Sequence, residues 1–313
     1  MTWLAFPLIS ALAAAVSNHI DKFLLDKYFK NKTIGAMLIF SSLMSLPLMT
    51  FIYFIHPAIF DISTTNALFI GLNGVIYVLW IIPYLLALRY DDTSTVTPLF
   101  QLSSVFSYIL GFIILNESLT FNQIFGCLYI LLGSVFLSVE SKIDHKKGKT
   151  KGYLRFFNTR VFLLMSLASV LIALNSIIFK LIALSETFWV TSFWEYSGIF
   201  AMGVFFLIFF KKFRSEFLSL FKKKSTSIVS INMSNELINF SSKSLVNYAT
   251  LLAPVALTSF IAEGFQPFFV LILAVFLAKK LPDIEKEDIT ANNIIRKFLS
   301  ICIMAVGTII ISL

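Results

Sequence analysis

The chain consists of long apolar runs separated by short polar connections. A helix needs about 20 mostly apolar residues to cross a hydrocarbon core about 30 Å thick, whereas a strand of a membrane barrel spans about 9–11 residues of alternating polarity. The runs here are long and continuous, so the pattern predicts membrane-spanning α-helices. The predicted spans cover residues 3–24, 34–55, 66–89, 93–115, 121–139, 160–183, 188–210, 227–248, 253–278 and 297–313.

The second half of the chain resembles the first when the two are aligned by a fixed shift. A shift of 162 positions places Thr97 on Ser259 and Gln101 on Glu263. A larger shift, 174 positions, aligns the last span, because a polar insertion lies within 282–296. Self-similarity over successive spans indicates an internal repeat.

This repeat divides the chain into two domains of five spans. We predict one five-helix repeat over residues 1–141, a second over 160–313, and a basic linker loop at 142–159. An odd number of spans per repeat inverts the second repeat relative to the first. The predicted fold is therefore an all-α membrane protein with about ten transmembrane helices arranged as two inverted five-helix repeats.

Composition and charge agree with this picture and add an orientation. The chain is 58% hydrophobic and 13% charged, whereas soluble domains are about 45–50% apolar and about 25% charged. Of its 25 Lys and Arg, 23 lie in or beside the odd-numbered connections, which explains the net charge of +8 without a nucleic-acid partner. Because short basic loops stay cytoplasmic, we predict a multi-pass protein of the plasma (inner) membrane with both termini outside.

Several short motifs, duplicated in order and spacing, resemble a known family. In the first half they are Tyr84-x-x-Ala87-Leu88-Arg89-Tyr90, the segment from Leu115 to Thr120, Gly126 and Gly133; in the second half they are Tyr248-Ala249, the segment from Pro254 to Ser259, Pro267 and Gly307. With these motifs the chain resembles the EamA-type family of the drug/metabolite transporter superfamily. One departure is Glu117, whose repeat mate is Lys279.

The resemblance implies a transporter that exports amino acids, related metabolites or toxic compounds, with uptake as the alternative direction. Our leading hypothesis is a secondary transporter that exposes a small polar metabolite alternately to each side of the membrane, with proton coupling left open. The competing hypothesis is a membrane scaffold or subunit without transport. The expected partners are the substrate and membrane lipids; a homodimer is left open, and no cofactor is expected.

Two acids inside predicted spans are candidates for contact with substrate or protons, since ionisable groups in a bilayer are costly. Glu263 lies near the centre of the ninth span, with Gln266 one turn later, and its repeat mate is Gln101. Glu195 lies among aromatic residues in the seventh span, and aromatic rings favour a bound cation. The structural alternatives are a helix-packing hydrogen bond for Glu263 and a membrane-interface position for Glu195.

The eighth predicted span carries a polar stripe. Asn232, Glu236, Asn239, Lys243 and Asn247 recur at spacings of four, three, four and four, so they share one helical face. We expect this face to point into the bundle, with Glu236 pairing with Lys243 through Asn239 or water. A sealed structural network is the alternative.

The third span repeats this pattern with aromatic residues. Asn73, Trp80 and Tyr84 follow one helical face and could form a wall against which a ligand stacks. A packed helix interface is the simpler alternative.

Polar residues near the ends of two repeat-related spans are gate candidates. Asn18, Asp21 and Lys22 cluster near the end of the first span, and Asn175 and Lys180 occupy related positions in the sixth. Under the inverted arrangement, these clusters approach opposite membrane faces. Alternatively, Asp21 and Lys22 lie at the interface, with the lysine extended toward water.

Two prolines are candidate helix breaks in the repeat-related fourth and ninth spans. Pro98 and Pro267 each lack a backbone N–H, so each leaves a carbonyl free in its span. Such breaks commonly mark transport sites.

Catalytic and metal-binding motifs are not evident in the sequence. Cys127 and Cys302 lack the spacing of a metal site, and the three histidines are scattered. Gly148-Lys149-Thr150 lacks the first glycine of a phosphate-binding loop. We therefore expect neither an enzyme nor a metal centre.

Overall fold

The computed structural model describes residues 2–28, 34–91, 93–138, 159–222, 226–280 and 291–312, and these are almost entirely helical. Residues 142–158 of the predicted basic linker lie outside the described residues. The helices are α1 (Ala5–Lys27), α2 (Gly35–Leu43), α3 (Ser45–Ile55), α4 (Thr64–Tyr90), α5 (Thr93–Val96), α6 (Gln101–Leu115), α7 (Phe121–Ser138), α8 (Thr159–Ser185), α9 (Phe188–Phe209), α10 (Lys211–Lys222), α11 (Thr226–Leu252), α12 (Val255–Lys280) and α13 (Ala291–Ser312). Short 3₁₀ turns cover Thr2–Leu4, Pro57–Phe60 and Thr97–Phe100.

Seven helical segments within the described residues are long and apolar enough to cross a membrane. Two shorter apolar helices, Phe121–Ser134 and Phe298–Ile311, accompany them, while α11 is long but more polar. The described residues thus confirm the prediction of a helical, multi-pass membrane protein, whereas the ten spans and the two inverted repeats stay a prediction.

The second predicted span is divided between α2 and α3, with a turn at Met44. Pro47 lies in the first turn of α3 and has no N–H to donate to the carbonyl of Leu43 four residues earlier. The local helix is therefore interrupted although the apolar run is continuous.

One helix lies where the sequence indicated only a basic connection. The segment Lys211–Lys222 forms the amphipathic helix α10. Its Phe217 is buried and lies 6.3 Å from the ring of Phe40, centroid to centroid. A helix with a basic face and an apolar face is suited to the membrane interface.

Helix ends follow the local sequence. Ser63 and Thr187 cap α4 and α9 by accepting hydrogen bonds from the backbone N–H groups of Asn66 and Val190. Asn116 ends α6 in the left-handed conformation, with φ of 52°, which is tolerated by asparagine better than by most residues.

The main core lies where α1, α2, α4, α9 and α11 meet. Helix α1 packs against α11 and α12, α4 packs against α8 and α9, and α7 packs against α13. Short connections make consecutive spans antiparallel, so α1, α4 and α9 end on the same side, where α10 also lies. We call this side the basic face and the other side the opposite face.

Small residues permit the close crossing of α4 and α9. A methyl group added to Gly198 would lie 1.9 Å from the backbone oxygen of Gly71, and one added to Gly74 would lie 2.2 Å from that of Glu195. Close backbone approach over glycine is a common means of helix association in membranes. This crossing brings Glu195 next to the polar face of α4.

Candidate functional site

A small polar pocket lies among α1, α2, α4 and α11. It is nearer the basic face, because Asp21 and Tyr84 each lie six residues before the ends of their helices at Lys27 and Tyr90. The pocket is lined by Asn18, Asp21, Met37, Ser41, Tyr77, Trp80, Ile81, Tyr84, Leu85, Glu236 and Asn239.

Two buried acidic side chains, Asp21 and Glu236, line the pocket. Asp21 Oδ1 accepts a hydrogen bond from Asn235 Nδ2 at 2.7 Å, and Glu236 Oε2 accepts one from the Ser41 hydroxyl at 2.7 Å. Among the described residues, no lysine or arginine lines the pocket. The acids are therefore oriented by neutral donors, without an opposing charge in the pocket.

Aromatic side chains of α4 form one wall of the pocket. The rings of Trp80 and Tyr84 lie 5.8 Å apart, centroid to centroid, and those of Tyr77 and Trp80 lie 5.6 Å apart. These residues recur along one face of α4, as the spacing in the sequence predicted. The wall supplies aromatic surface beside the two acids.

Asn18 links the aromatic wall to α1 and has an unused donor. The Tyr84 hydroxyl lies 2.9 Å from Asn18 Oδ1 and 3.2 Å from Asp21 Oδ2, so it can donate to either. Asn18 is 6% exposed, and its Nδ2 has no hydrogen-bond partner among the described residues. A buried donor left unpaired costs free energy unless a ligand or water accepts from it.

On the opposite-face side of the pocket, four residues form what we call the central ion cluster: Glu195, Lys243, Asn73 and Asn175. Lys243 Nζ lies 3.0 Å from Glu195 Oε2, and both asparagine Nδ2 groups donate to Glu195 Oε1 at 2.9 Å. Each asparagine also donates to the backbone carbonyl of the other at 3.0 Å. The cluster thus joins α4, α8, α9 and α11 near mid-span.

The expected pairing of Glu236 with Lys243 is not the arrangement in the structure. The two residues are seven positions apart on α11, about 10 Å along the helix axis. Lys243 instead pairs with Glu195 and lies 4.6 Å from the centre of the Tyr77 ring. The polar stripe of α11 therefore serves two sites, with Glu236 and Asn239 in the pocket and Lys243 in the central ion cluster.

A second, partly buried ion pair lies near the opposite face. Lys180 Nζ lies 2.6 Å from Glu117 Oε1 and donates to the backbone carbonyl of Ala253 at 2.8 Å. The other Glu117 oxygen accepts from the backbone N–H of Val255, the first residue of α12, at 2.9 Å. This opposite-face ion pair joins the end of α6, the end of α8 and the α11–α12 junction.

Lys22, at the basic-face end of α1, holds backbone carbonyls rather than facing the pocket. Its Nζ donates to Leu88 O at 2.9 Å and to Asp91 O at 3.2 Å, and lies 3.5 Å from the Asp26 carboxylate. Lys22 therefore ties α1 to the end of α4.

Glu263 lies outside the pocket, between α6 and α12. Its Oε2 accepts hydrogen bonds from the hydroxyls of Ser103 and Ser104. Gln101 is in the same interface, where Gly264 leaves room for its amide, and no hydrogen bond to that amide is found among the described residues. Gln266 is also buried on α12, and none of these three predicted polar residues lines the pocket.

The two proline candidates behave differently. Pro98 lies in the 3₁₀ turn between α5 and α6, so the fourth span is broken there. Pro267 lies inside α12, which continues through it, so the predicted break at that position is wrong. A helix packed on several neighbours retains its other hydrogen bonds, and polar groups nearby can compensate the carbonyl that proline leaves free.

Two transporter family models match parts of the chain. Residues 1–139 match the family model of the EamA-like transporter family, and residues 82–205 match that of the magnesium transporter NIPA family. Over its first 139 residues the chain is thus similar to the EamA-like transporter family. The EamA-like match contains the pocket residues of α1, α2 and α4, so most of the pocket lies in the part that the family model covers.

Two further comparisons bear on the fold. One solved crystal structure aligns over 99% of this chain and 98% of its own, with a TM-score of 0.62 and 13% sequence identity. At that identity the likeness concerns the fold alone. No curated protein matches the sequence.

Sequence reasoning did not select Ser41 or Asn235 as site residues. Ser41 lies in an apolar run where an isolated serine is unremarkable, and Asn235 lies beside the polar stripe of α11 rather than on it. Each becomes significant only because another helix places a carboxylate next to it.

Proposed function

We propose that this protein is a secondary transporter that binds a small polar organic molecule in the pocket and carries it across the membrane by alternating access. The observation that carries the proposal is the pair of buried acids, Asp21 and Glu236, beside an open space within a bundle of apolar helices. Charged groups at such depth are costly, by about 2.5–3.5 kcal/mol on insertion scales, and usually serve a transport pathway. Both matched families are transporter families.

The proposed architecture is two inverted five-helix repeats. In this architecture α1, α4 and α6 of the first repeat correspond to α8, α11 and α12 of the second. The α4–α8 contact then corresponds to the α11–α1 contact, and the α1–α12 contact to the α8–α6 contact. The shift of 162 positions places Asp91 on Ala253, and the carbonyls of these two residues are held by Lys22 and Lys180. These correspondences support the repeat boundaries 1–141 and 160–313, with 142–159 as a linker.

In the proposed cycle, this conformation is closed toward the opposite face. The central ion cluster lies on the opposite-face side of the pocket. The opposite-face ion pair lies farther toward that face and joins three helix ends. Opening toward that face would separate these contacts. On the basic face, Lys22 holds the end of α4. Of the gate candidates, Lys180, Asn175 and Lys22 therefore remain gate proposals, whereas Asn18 and Asp21 are proposed as binding residues.

The coupling and direction are part of the proposal. Glu263 lies between the first repeat's α6 and the second repeat's α12, where two serine hydroxyls hold its carboxylate. A group at that boundary can respond to the relative motion of the repeats, so we propose Glu263 as the proton-coupling carboxylate and export as the direction. The basic face would lie in the cytoplasm of a plasma-membrane protein.

Flux measurements on purified protein in liposomes test the proposal. Labelled amino acids, amines and other small metabolites are supplied with and without an imposed proton gradient, and at least one should show saturable flux above protein-free liposomes. Met37 lines the pocket, so Met37→Trp should fill it and reduce that flux at least about tenfold. Met233→Trp is the matched control, because Met233 is 43% exposed on the surface of α11.

The scaffold hypothesis predicts the reverse. If no compound in the panel gives saturable flux, or if Met37→Trp and Met233→Trp transport equally, the pocket is not a transport site and the proposal is lost.

A further inference from the structure

We infer that the pocket selects an organic ammonium ion that also carries an uncharged hydrogen-bond acceptor. This inference rests on the proposed function and names its substrate class. It narrows the expected range of amino acids and related metabolites, because it disfavours a free carboxylate on the ligand. Four features of the pocket lead to it.

The first feature is the charge of the lining. Asp21 and Glu236 are each 6% exposed and are the ionisable acids of the lining, which contains no lysine or arginine among the described residues. A ligand ammonium group would donate charge-assisted hydrogen bonds to both carboxylates. Since an uncompensated buried charge is unfavourable, a cation is the complementary occupant.

The second feature is that the nearest lysines are already engaged. Lys243 is paired with Glu195 and separated from the pocket by the Tyr77 ring, and Lys22 holds the carbonyls of Leu88 and Asp91. A ligand carboxylate would therefore approach two acids without a cation to bind it. A zwitterionic amino acid is penalised relative to its amide.

The third feature is the aromatic wall. Trp80 and Tyr84 both line the space, with ring centres 5.8 Å apart. Ring faces attract organic cations, and tryptophan does so most strongly. Lys243 already lies over the Tyr77 ring, so we assign the ligand's ammonium group to the rings of Trp80 and Tyr84.

The fourth feature is Asn18, whose side chain lines the pocket and has an unpaired Nδ2 donor among the described residues. Its Oδ1 accepts from the Tyr84 hydroxyl, which orients the amide with nitrogen free. An amide, ester or hydroxyl oxygen on the ligand would accept from it. The donor thus indicates an acceptor beside the ammonium group.

A hydrated divalent cation fits this pocket less well. Magnesium requires about six oxygen ligands in octahedral geometry, whereas much of this lining is aromatic or aliphatic. The segment that matches the magnesium transporter NIPA family, residues 82–205, contains neither Asp21 nor Glu236.

Four matched compounds separate these contributions: leucinamide, leucine, isopentylamine and 4-methylpentanamide. They share one aliphatic body and differ in the ammonium, carboxylate and amide groups. Binding to the purified protein in lipid nanodiscs is measured by titration calorimetry at neutral pH, with MgCl₂ as a further ligand. We expect leucinamide to bind at least about tenfold more tightly than the other three, because leucine adds a carboxylate, isopentylamine lacks the acceptor and 4-methylpentanamide lacks the ammonium group.

Substitutions assign the selectivity to residues. Asp21→Asn and Glu236→Gln should each weaken leucinamide binding at least about tenfold, and Asn18→Ala should abolish the preference for leucinamide over isopentylamine. Asp61→Asn and Glu186→Gln are matched controls, because Asp61 is exposed and Glu186 bonds Asn66 outside the pocket. If a pocket variant fails to fold, the ligand series on the unaltered protein still decides the inference.

Leucine or magnesium binding as tightly as leucinamide overturns the inference, as does unchanged leucinamide affinity in folded Asp21→Asn and Glu236→Gln. Its failure is distinguishable from that of the transport proposal. Selective leucinamide binding without flux would end the transport proposal and leave the inferred binding site. Saturable leucine flux that Met37→Trp blocks, without selectivity for leucinamide, would support the transport proposal and end the inference about the ligand.

Discussion

Glu195 illustrates how a membrane acid selected from sequence can have a structural explanation. It is fully buried, and its carboxylate is held by Lys243 and two asparagines. A substrate would have to displace these contacts to reach it. Asp21 and Glu236 differ, because their protein partners are neutral and they face open space.

The Lys243–Glu195 pair yields a prediction about stability. Lys243→Met should lower stability substantially, by roughly 3–5 kcal/mol, because it leaves Glu195 as a buried charge without its counter-ion. Adding Glu195→Gln should recover part of this loss. Thermal unfolding in one detergent compares the single and the double variant, with Lys211→Met at the exposed end of α10 as the control.

A double variant that is less stable than the Lys243→Met single variant would contradict this coupling. The same outcome would assign Glu195 a role that does not depend on Lys243.

At the scale of elements, the crossing of α4 and α9 depends on missing side chains. Gly198 approaches the backbone of Gly71, and this approach aligns Asn73 with Glu195. The apolar runs indicated two helices, but their hydrophobicity is equally satisfied by lipid. The contact between glycines is what selects the partner and its register.

Gly198→Ala should therefore destabilise the protein by roughly 1–3 kcal/mol, the usual range for overpacking, and lower its thermal midpoint. The new methyl would meet backbone rather than a flexible side chain, so local adjustment is limited. Gly71→Ala is a matched control on the same contact, since a methyl there meets nothing within 4 Å.

Equal midpoints for the two alanine variants would show that α4 and α9 do not cross as described. A drop confined to Gly198→Ala agrees with the crossing.

For the whole molecule, orientation follows from the one-sided basic connections. A reporter fused after Leu313 should be extracytoplasmic, and one inserted in the linker 142–159 should be cytoplasmic. Met37→Cys, in a background with Cys127→Ser and Cys302→Ser, should react with an impermeant thiol reagent supplied on the cytoplasmic side, because the pocket lies nearer the basic face.

A cytoplasmic signal after Leu313 would reverse the orientation without changing the fold. Labelling of Met37→Cys from the external side alone would place the pocket mouth on the wrong face.

Much of the structure could be predicted from local patterns in the sequence. The spans, the turn at Pro98 and the aromatic face of α4 follow from apolar run length, proline chemistry and helical periodicity. Six predicted candidates line the pocket: Asn18, Asp21, Trp80, Tyr84, Glu236 and Asn239. What could not be predicted is which polar residue meets which, because these contacts join helices far apart in sequence.

By itself, the sequence determined that this protein is a helical membrane protein with repeated features and EamA-like motifs, because hydrophobic run length, charge bias and motif order are local properties of the chain. Only the tertiary structure decided that Lys243 pairs with Glu195 rather than Glu236, and that Glu117 meets Lys180. The physical reason is that a buried charge requires a partner, and helix packing determines which partner is within reach.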